Sequence, residues 1–465
     1  MSNFWDFEVW SWILLFGVLL GSLLVANVIK KAVPFLRESL IPTSVLGGIL
    51  LLIISSIYTA VTGELLFDSA PFAGKGMATL EIITYHALAL GFIASAFKTT
   101  GSKLTKARAE ETLNTGVTTV ATYLLQAFVG LGVTLLAALV VPGLFSSAGI
   151  LLPFGFGQGT GQALNYGTIY ETQNGFVGGK NFGLTIAALG FLAASVGGVI
   201  HLIIMKRTGK LVKSQRTDGS LHTDRVESAL EIPMQESIDK MTVQIALILV
   251  AYLGAYGLML GLGALLPGMK SVIFGFNFLL GVLVATLIKV LLNFLRKKRI
   301  IKKKYTNNFL MTRASNFFFD IMVVAGIAAI RLDILENYWG VILILAAVGT
   351  AVTYLFNRFV AKRLFPDYAE EQFLAMYGML TGTASTGIIL LREVDKDFRT
   401  PASDNLVYQN FPAIVLGFPI MLIAPRVPDA PIPYFFVLLG LFGVLCLVLF
   451  RKYIFRKKGN KTDEM

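Results

Sequence analysis

The chain is poor in the residues that a soluble enzyme or a secreted domain relies on. It has one cysteine, Cys446, so no disulfide can form within it; in its apolar run that residue reads as filler. It has three histidines, His86, His201 and His222, with no metal-site spacing. We find no nucleophile–base pair for an intramembrane hydrolase, so no enzyme, no catalytic residue and no cofactor is expected. Charge is scarce too. Only 15% of the 465 residues are charged and 55% are hydrophobic, against roughly 25% charged in soluble domains. The deficit runs the whole length and puts the chain in a bilayer. A basic leader is also missing: Asp6 and Glu8 precede the first apolar run, unlike a signal peptide. That run is expected to stay as a span.

What is present is a series of apolar runs near the roughly 20 residues that cross hydrocarbon as a helix. They cover 10–29, 42–60, 78–97, 116–141 and 181–205, then 241–266, 271–294, 308–330, 338–360 and 404–424, with a further one at 432–450. Two weaker stretches interrupt the series. One is Pro153-Phe-Gly-Phe-Gly-Gln-Gly-Thr-Gly-Gln-Ala-Leu-Asn165, within 149–171. The other is Tyr377-Gly-Met-Leu-Thr-Gly-Thr-Ala-Ser-Thr-Gly387, within 371–391. Each precedes the last span of its half.

The net charge is +12, and its placement decides what it means. Lys and Arg stay on the cytoplasmic side of short loops. Lys30, Lys31 and Arg37 follow the first span, Lys98 to Arg108 the third, and Lys206 to Arg216 the fifth. These three loops fall on one side only if 149–171 does not cross. That segment is expected to dip in from outside and return. In the second half, Lys240, Arg296–Lys304, Arg358–Arg363 and Arg392–Arg399 share the inner side if 371–391 dips in from the cytoplasm. Of the 40 basic residues only Lys75, Lys180, Lys270, Arg331 and Arg426 are left outside. The charge is then topology and attraction to anionic lipid; no nucleic acid is needed.

The expected fold is an all-α integral membrane protein. It has two inverted repeats, 1–208 and 241–426, each of five spans plus one re-entrant broken helix. A cytoplasmic linker at 209–240 joins them, and an extra span with a basic tail occupies 427–465. The N-terminus is expected outside and the C-terminus in the cytoplasm.

Interrupted segments at matching places in two halves point to a transporter's binding site. The first tip carries Gly157, Gln158, Gly159, Thr160, Gly161 and Gln162, with Asn165 a turn further on. The second carries Thr381, Gly382, Thr383, Ala384, Ser385, Thr386 and Gly387. Glycine lets a ligand approach the backbone, and helix N-termini beginning near Gly161 and Ala384 favour a carboxylate. The hydroxyls of Thr160, Thr383 and Ser385 suit a small hard cation such as sodium. The plainer alternative is that glycines and hydroxyls only let helices pack closely.

Ionisable groups inside spans are functional candidates by default. Asp320 and Asn316 share a helical face, where Asp320 could bind a cation or exchange a proton, or could be a satisfied structural carboxylate. His86, in the third span as Asp320 is in the eighth, reads first as a hydrogen-bonded core histidine. Gln126, Asn277 and Asn410 are weaker candidates, with interhelical hydrogen bonding the plainer role.

Ile41-Pro-Thr-Ser-Val-Leu-Gly-Gly48 resembles the Ile-Pro-x-x-Val-x-Gly-Gly opening of the second span in bacterial sodium/glutamate symporters. Gly157-Gln-Gly-Thr-Gly161 resembles that family's Gly-x-Gly-Thr-Gly signature, and 378–387 corresponds loosely to its second re-entrant segment. The resemblance implies a homodimeric inner-membrane transporter that imports an anionic amino acid with sodium, with Gly159, Thr160 and Gly161 at the site. Another carboxylate or amino acid, proton coupling, or a passive channel are the alternatives.

Overall fold

The computed structural model describes residues 3–98, 105–208, 238–395 and 399–451. Most of the expected linker 209–240 and the tail beyond Arg451 lie outside the described residues. Among those described, the chain is helical and has no strand. The helices are α1 (Phe7–Ala32), α2 (Pro34–Glu38), α3 (Thr43–Thr62), α4 (Gly76–Phe97), α5 (Lys106–Ala137), α6 (Leu151–Phe156), α7 (Gly159–Asn174), α8 (Gly179–Arg207) and α9 (Lys240–Leu265). They continue with α10 (Lys270–Gly275), α11 (Asn277–Lys297), α12 (Asn308–Ala328), α13 (Trp339–Leu364), α14 (Ala369–Thr381), α15 (Ala384–Arg392), α16 (Ala402–Tyr408), α17 (Asn410–Ile423) and α18 (Pro431–Leu449).

Among the described residues, eleven helical stretches are long and apolar enough to cross a membrane. Each overlaps one of the eleven expected spans, so the chain is a multi-pass membrane protein. Local chemistry marks their ends. Asp239 accepts from Met241 and Thr242 N–H at the start of α9, and Asn307 accepts from Leu310 N–H at the start of α12, each satisfying donors that the first turn leaves unpaired. Lys30–Lys31, Lys206–Arg207, Arg296–Lys297 and Lys362–Arg363 occupy the last turns of α1, α8, α11 and α13, where cations complement the helix dipole.

Three boundaries differ from the sequence reading. The fourth span starts ten residues early, at Lys106, because Arg108 pairs with Glu111 at 3.0 Å and Asp404 at 2.8 Å and so keeps a polar turn helical. The seventh span is broken at Phe276 into α10 and α11, where Asn277 donates to Tyr85 O at 3.1 Å. The tenth is broken at Gln409 into α16 and α17.

The helices form two compact units, each drawing on both halves of the chain. The first unit is Met1–Lys103, Gly159–Ala188 and Lys213–Glu336; the second is Leu104–Gln158, Leu189–Val212 and Asn337–Met465. In the first unit α4 and α12 pack antiparallel. Ser95 Oγ lies 2.8 Å from Ser315 Oγ, and Phe319 covers Gly91. In the second unit α5 is the central helix, with α13, α17 and α18 around it. Pro412 fits against Gly116.

Candidate functional site

The first glycine-rich stretch becomes two helices with a sharp break. In the second unit α6 runs antiparallel to α5. Gly149 backs onto Gly130, and Gly157 lies under Tyr123, whose hydroxyl donates to Gly157 O at 3.1 Å. A methyl group on Gly157 would stand 2.1 Å from the Tyr123 ring. The α6 helix therefore stops beside the middle of α5. Gly159 then turns the chain with φ +75°, a left-handed conformation that glycine adopts without strain.

In the first unit α7 starts beside the middle of α4, with Gly161 against Leu88. Thr160 donates to Met322 O at 3.2 Å and packs on Gly326. Asn165 donates to Gly275 O at 3.3 Å. Gly167 then backs onto Gly179, and Gly183 onto Ala163, so α7 and the start of α8 lie antiparallel with their backbones nearly touching. At the far end Lys180 Nζ pairs with Glu81 at 3.0 Å and Glu171 at 3.7 Å. Glu81 is in the second turn of α4, so α7 covers about half of that helix's length.

The second stretch is a hairpin, wholly in the second unit. The α14 helix climbs along α5: Gln372 donates to Thr115 Oγ1 at 3.2 Å, and Leu380 O accepts from Gln126 Nε2 at 2.9 Å. The α15 helix folds back, with Gly387 against Gly378 and Ala375. The tip is Thr381-Gly-Thr. Thr381 donates to Tyr377 O at 2.6 Å and is fully buried, whereas Thr383 reaches only Thr386 Oγ1 at 3.4 Å. Thr383 and Ser385 are half-buried and Ala384 is exposed, so the start of α15 is open.

Within the second unit the two stretches converge on one backbone position of α8. A methyl group on Gly190 would lie 2.4 Å from Thr381 O and 2.9 Å from the Phe156 ring. Polar groups left without a protein partner occur on each side of the first break, taken unit by unit. Gln162 is 1% exposed, yet both ends of its amide are unpaired. The Gln158 Nε2 is also buried and unpaired. A buried amide without a partner costs about 1–3 kcal/mol, so each of these groups has capacity for a further hydrogen bond.

Not every expected residue gathers at the breaks. Asp320 and Asn316 do share a face of α12, but it is an exposed face, and Ser44 at the start of α3 lies beside Asp320. His86 Nδ1 is 2.6 Å from Tyr252 Oη, and the α4–α12 pairing does not set it opposite Asp320. Asn410 Oδ1 accepts from Gln409 at 2.9 Å at the α16–α17 break. Among the described residues no three His, Cys, Asp or Glu side chains could hold a metal ion together.

One cluster escaped the sequence reading. At the root of the hairpin, Glu370 accepts from Arg358 through both carboxylate oxygens, the longer contact being 2.6 Å. His201 Nε2 lies 2.9 Å from Glu370, and its Nδ1 lies 2.8 Å from Tyr354 Oη. Burial alone would raise the Glu370 carboxyl, but the hydrogen bonds from Arg358 and His201 outweigh it and hold it at about 2. The available signal was Glu370 just ahead of the weak segment, one helix after Arg358.

No protein-family model matches the chain, and a search of curated proteins finds no match.

Proposed function

We propose that this chain is a secondary active transporter of the cytoplasmic membrane. It carries glutamate or a related small anionic amino acid or carboxylate in symport with sodium, by alternating access. The observation that carries this reading is Gly190, where the first stretch's Phe156 and the second stretch's Thr381 meet. Two half-length helical elements ending side by side in a membrane protein are of use where irregular backbone lines a binding cavity.

On this reading 149–171 and 371–391 are re-entrant, entering from opposite faces of two inverted repeats. Three observations support it. Gly157 and Gly161 each sit beside the middle of a spanning helix, Gly387 folds back on Gly378, and α4 and α12, the third spans of the two halves, meet through Ser95 and Ser315. In the second unit the open start of α15 offers N–H groups to a carboxylate; in the first unit the start of α7 does so too, with the Gln162 amide on it. Thr383 and Ser385 offer hydroxyl oxygens to sodium. The resemblance of 41–48 and 157–161 to the sodium/glutamate symporters agrees with this cargo and with a homodimer. On this reading, with the basic loops inside, the N-terminus lies outside and the C-terminus in the cytoplasm.

The test is uptake of labelled glutamate, and of a panel of carboxylates, into proteoliposomes with an imposed sodium gradient. Gradient-dependent accumulation is expected. A passive channel would instead give large unitary currents without accumulation.

A further inference from the structure

The second unit holds a second set of unpaired groups, on α5 and α13. Gln126 on α5 is completely buried, and Asn357 on α13 is 2% exposed. Each stands four residues after a buried threonine, Thr122 and Thr353. The four side chains form a reciprocal square. Gln126 Nε2 donates to Thr353 Oγ1 at 2.8 Å, and Asn357 Nδ2 donates to Thr122 Oγ1 at 3.3 Å. Since α5 and α13 are the fourth spans of the two halves, the same threonine–amide pair recurs at corresponding places.

The direction of each amide is fixed by a group that can only accept. Gln126 Nε2 also donates to Leu380 O at 2.9 Å, and Asn357 Nδ2 to Thr353 O at 2.9 Å. Flipping either amide would set two carbonyl oxygens against each other. The ends left over are therefore the oxygens, and neither Gln126 Oε1 nor Asn357 Oδ1 has a hydrogen-bond partner in the protein. Two buried acceptors whose own donors are already committed have room for a hydrogen-bond donor or a cation.

We propose that Gln126 Oε1 and Asn357 Oδ1, with the Thr122 and Thr353 hydroxyls at hand, bind a dehydrated sodium ion between α5 and α13. Hard neutral oxygens suit a hard cation. All four side chains are uncharged, which disfavours calcium, whose affinity is set by carboxylate count. A neutral ligand set also binds weakly enough for the ion to leave. The site is tied to the hairpin: a cation on Oε1 polarises the Gln126 amide and strengthens its N–H bond to Leu380, the residue before the tip.

Binding is measured without substrate, so the result does not depend on transport. The purified full chain in lipid nanodiscs is titrated with sodium chloride against potassium and choline chloride at constant ionic strength, and its Tm followed. A saturable, sodium-specific rise is expected. In Gln126→Leu and Asn357→Leu the sodium midpoint should move up at least tenfold. Gln126→Met, closer in shape to glutamine than leucine is, also removes Oε1, so its midpoint should rise as well; this variant decides if the leucine variants do not fold. Leucine variants that shift the baseline Tm but keep the wild-type midpoint would mean water or packing only, and overturn the site. A wild-type response that is absent, or saturates with potassium alone, overturns it as well. So does a response lost in Thr383→Val but intact in both leucine variants.

Discussion

Gly190 on α8 leaves room for Thr381, whose carbonyl oxygen would lie 2.4 Å from any Cβ placed there. Backbone faces backbone at that point, so neither side can yield by a rotamer change. Gly190→Ala should therefore displace the hairpin tip or α6. We expect at least a tenfold loss of gradient-driven uptake, with the variant still inserted and monodisperse. Unchanged uptake would mean that the meeting of the two stretches has no part in transport.

Gln162 separates binding from stability. Its amide is buried with no protein partner at either end, so Gln162→Leu removes an unmet desolvation cost of about 1–3 kcal/mol. The ligand-free variant should unfold at the same or a higher temperature, while substrate affinity should fall by about tenfold, or roughly 1.4 kcal/mol. Thermal unfolding and uptake KM measure the two effects. A destabilised variant with wild-type KM would make Gln162 a packing residue.

The threonines of the two tips should behave differently. Thr160 already spends its hydroxyl on Met322 O and its methyl on Gly326, so Thr160→Val should cost about 1 kcal/mol of stability. Thr383 has only the long contact to Thr386. Thr383→Val should leave stability alone and weaken sodium or substrate binding. Sodium titration beside chemical unfolding distinguishes the two.

The Glu370 carboxylate is held low by Arg358 and His201. A carboxyl with a depressed folded-state pKa contributes stability above its unfolded value, and that stability is lost as pH falls through the folded one. For Glu370 the loss runs from the ordinary range near 4.5 down to about 2. Glu370→Gln leaves Arg358 without its partner and should cost about 3–5 kcal/mol at pH 7. The gap to wild type should close below pH 4 in an acid-unfolding series. A constant gap across that range would remove the charge from the explanation.

Asp320→Asn tests an expectation drawn from the spans. Asp320 is exposed on α12, with Ser44 beside it. If it exchanges a proton or binds sodium, the pH and sodium dependence of uptake will move. Wild-type profiles would make it the structural partner of the start of α3.

The spans were legible because a helix in hydrocarbon must be apolar over its full length, and residue type alone reports that. The two weak stretches were legible for the converse reason: Gly157 to Gly161 and Thr381 to Gly387 have a composition that no simple span uses. The helix breaks at Phe276 and Gln409 were not, since Asn277 and Gln409 act through distant partners, Tyr85 O and Thr119 Oγ1. The Glu370 cluster was missed because Arg358 and His201 lie on other helices.

By itself, then, the amino-acid order determined which segments enter the bilayer and which of them are too polar to cross it plainly. It could not say that Gly190 is where Phe156 and Thr381 come together, or that Gln126 and Asn357 answer each other across α5 and α13. Hydropathy is a property of each residue in its own stretch. Which glycine leaves a gap, and which amide oxygen has no partner, depends on helices far apart in the chain, and only their packing decides it.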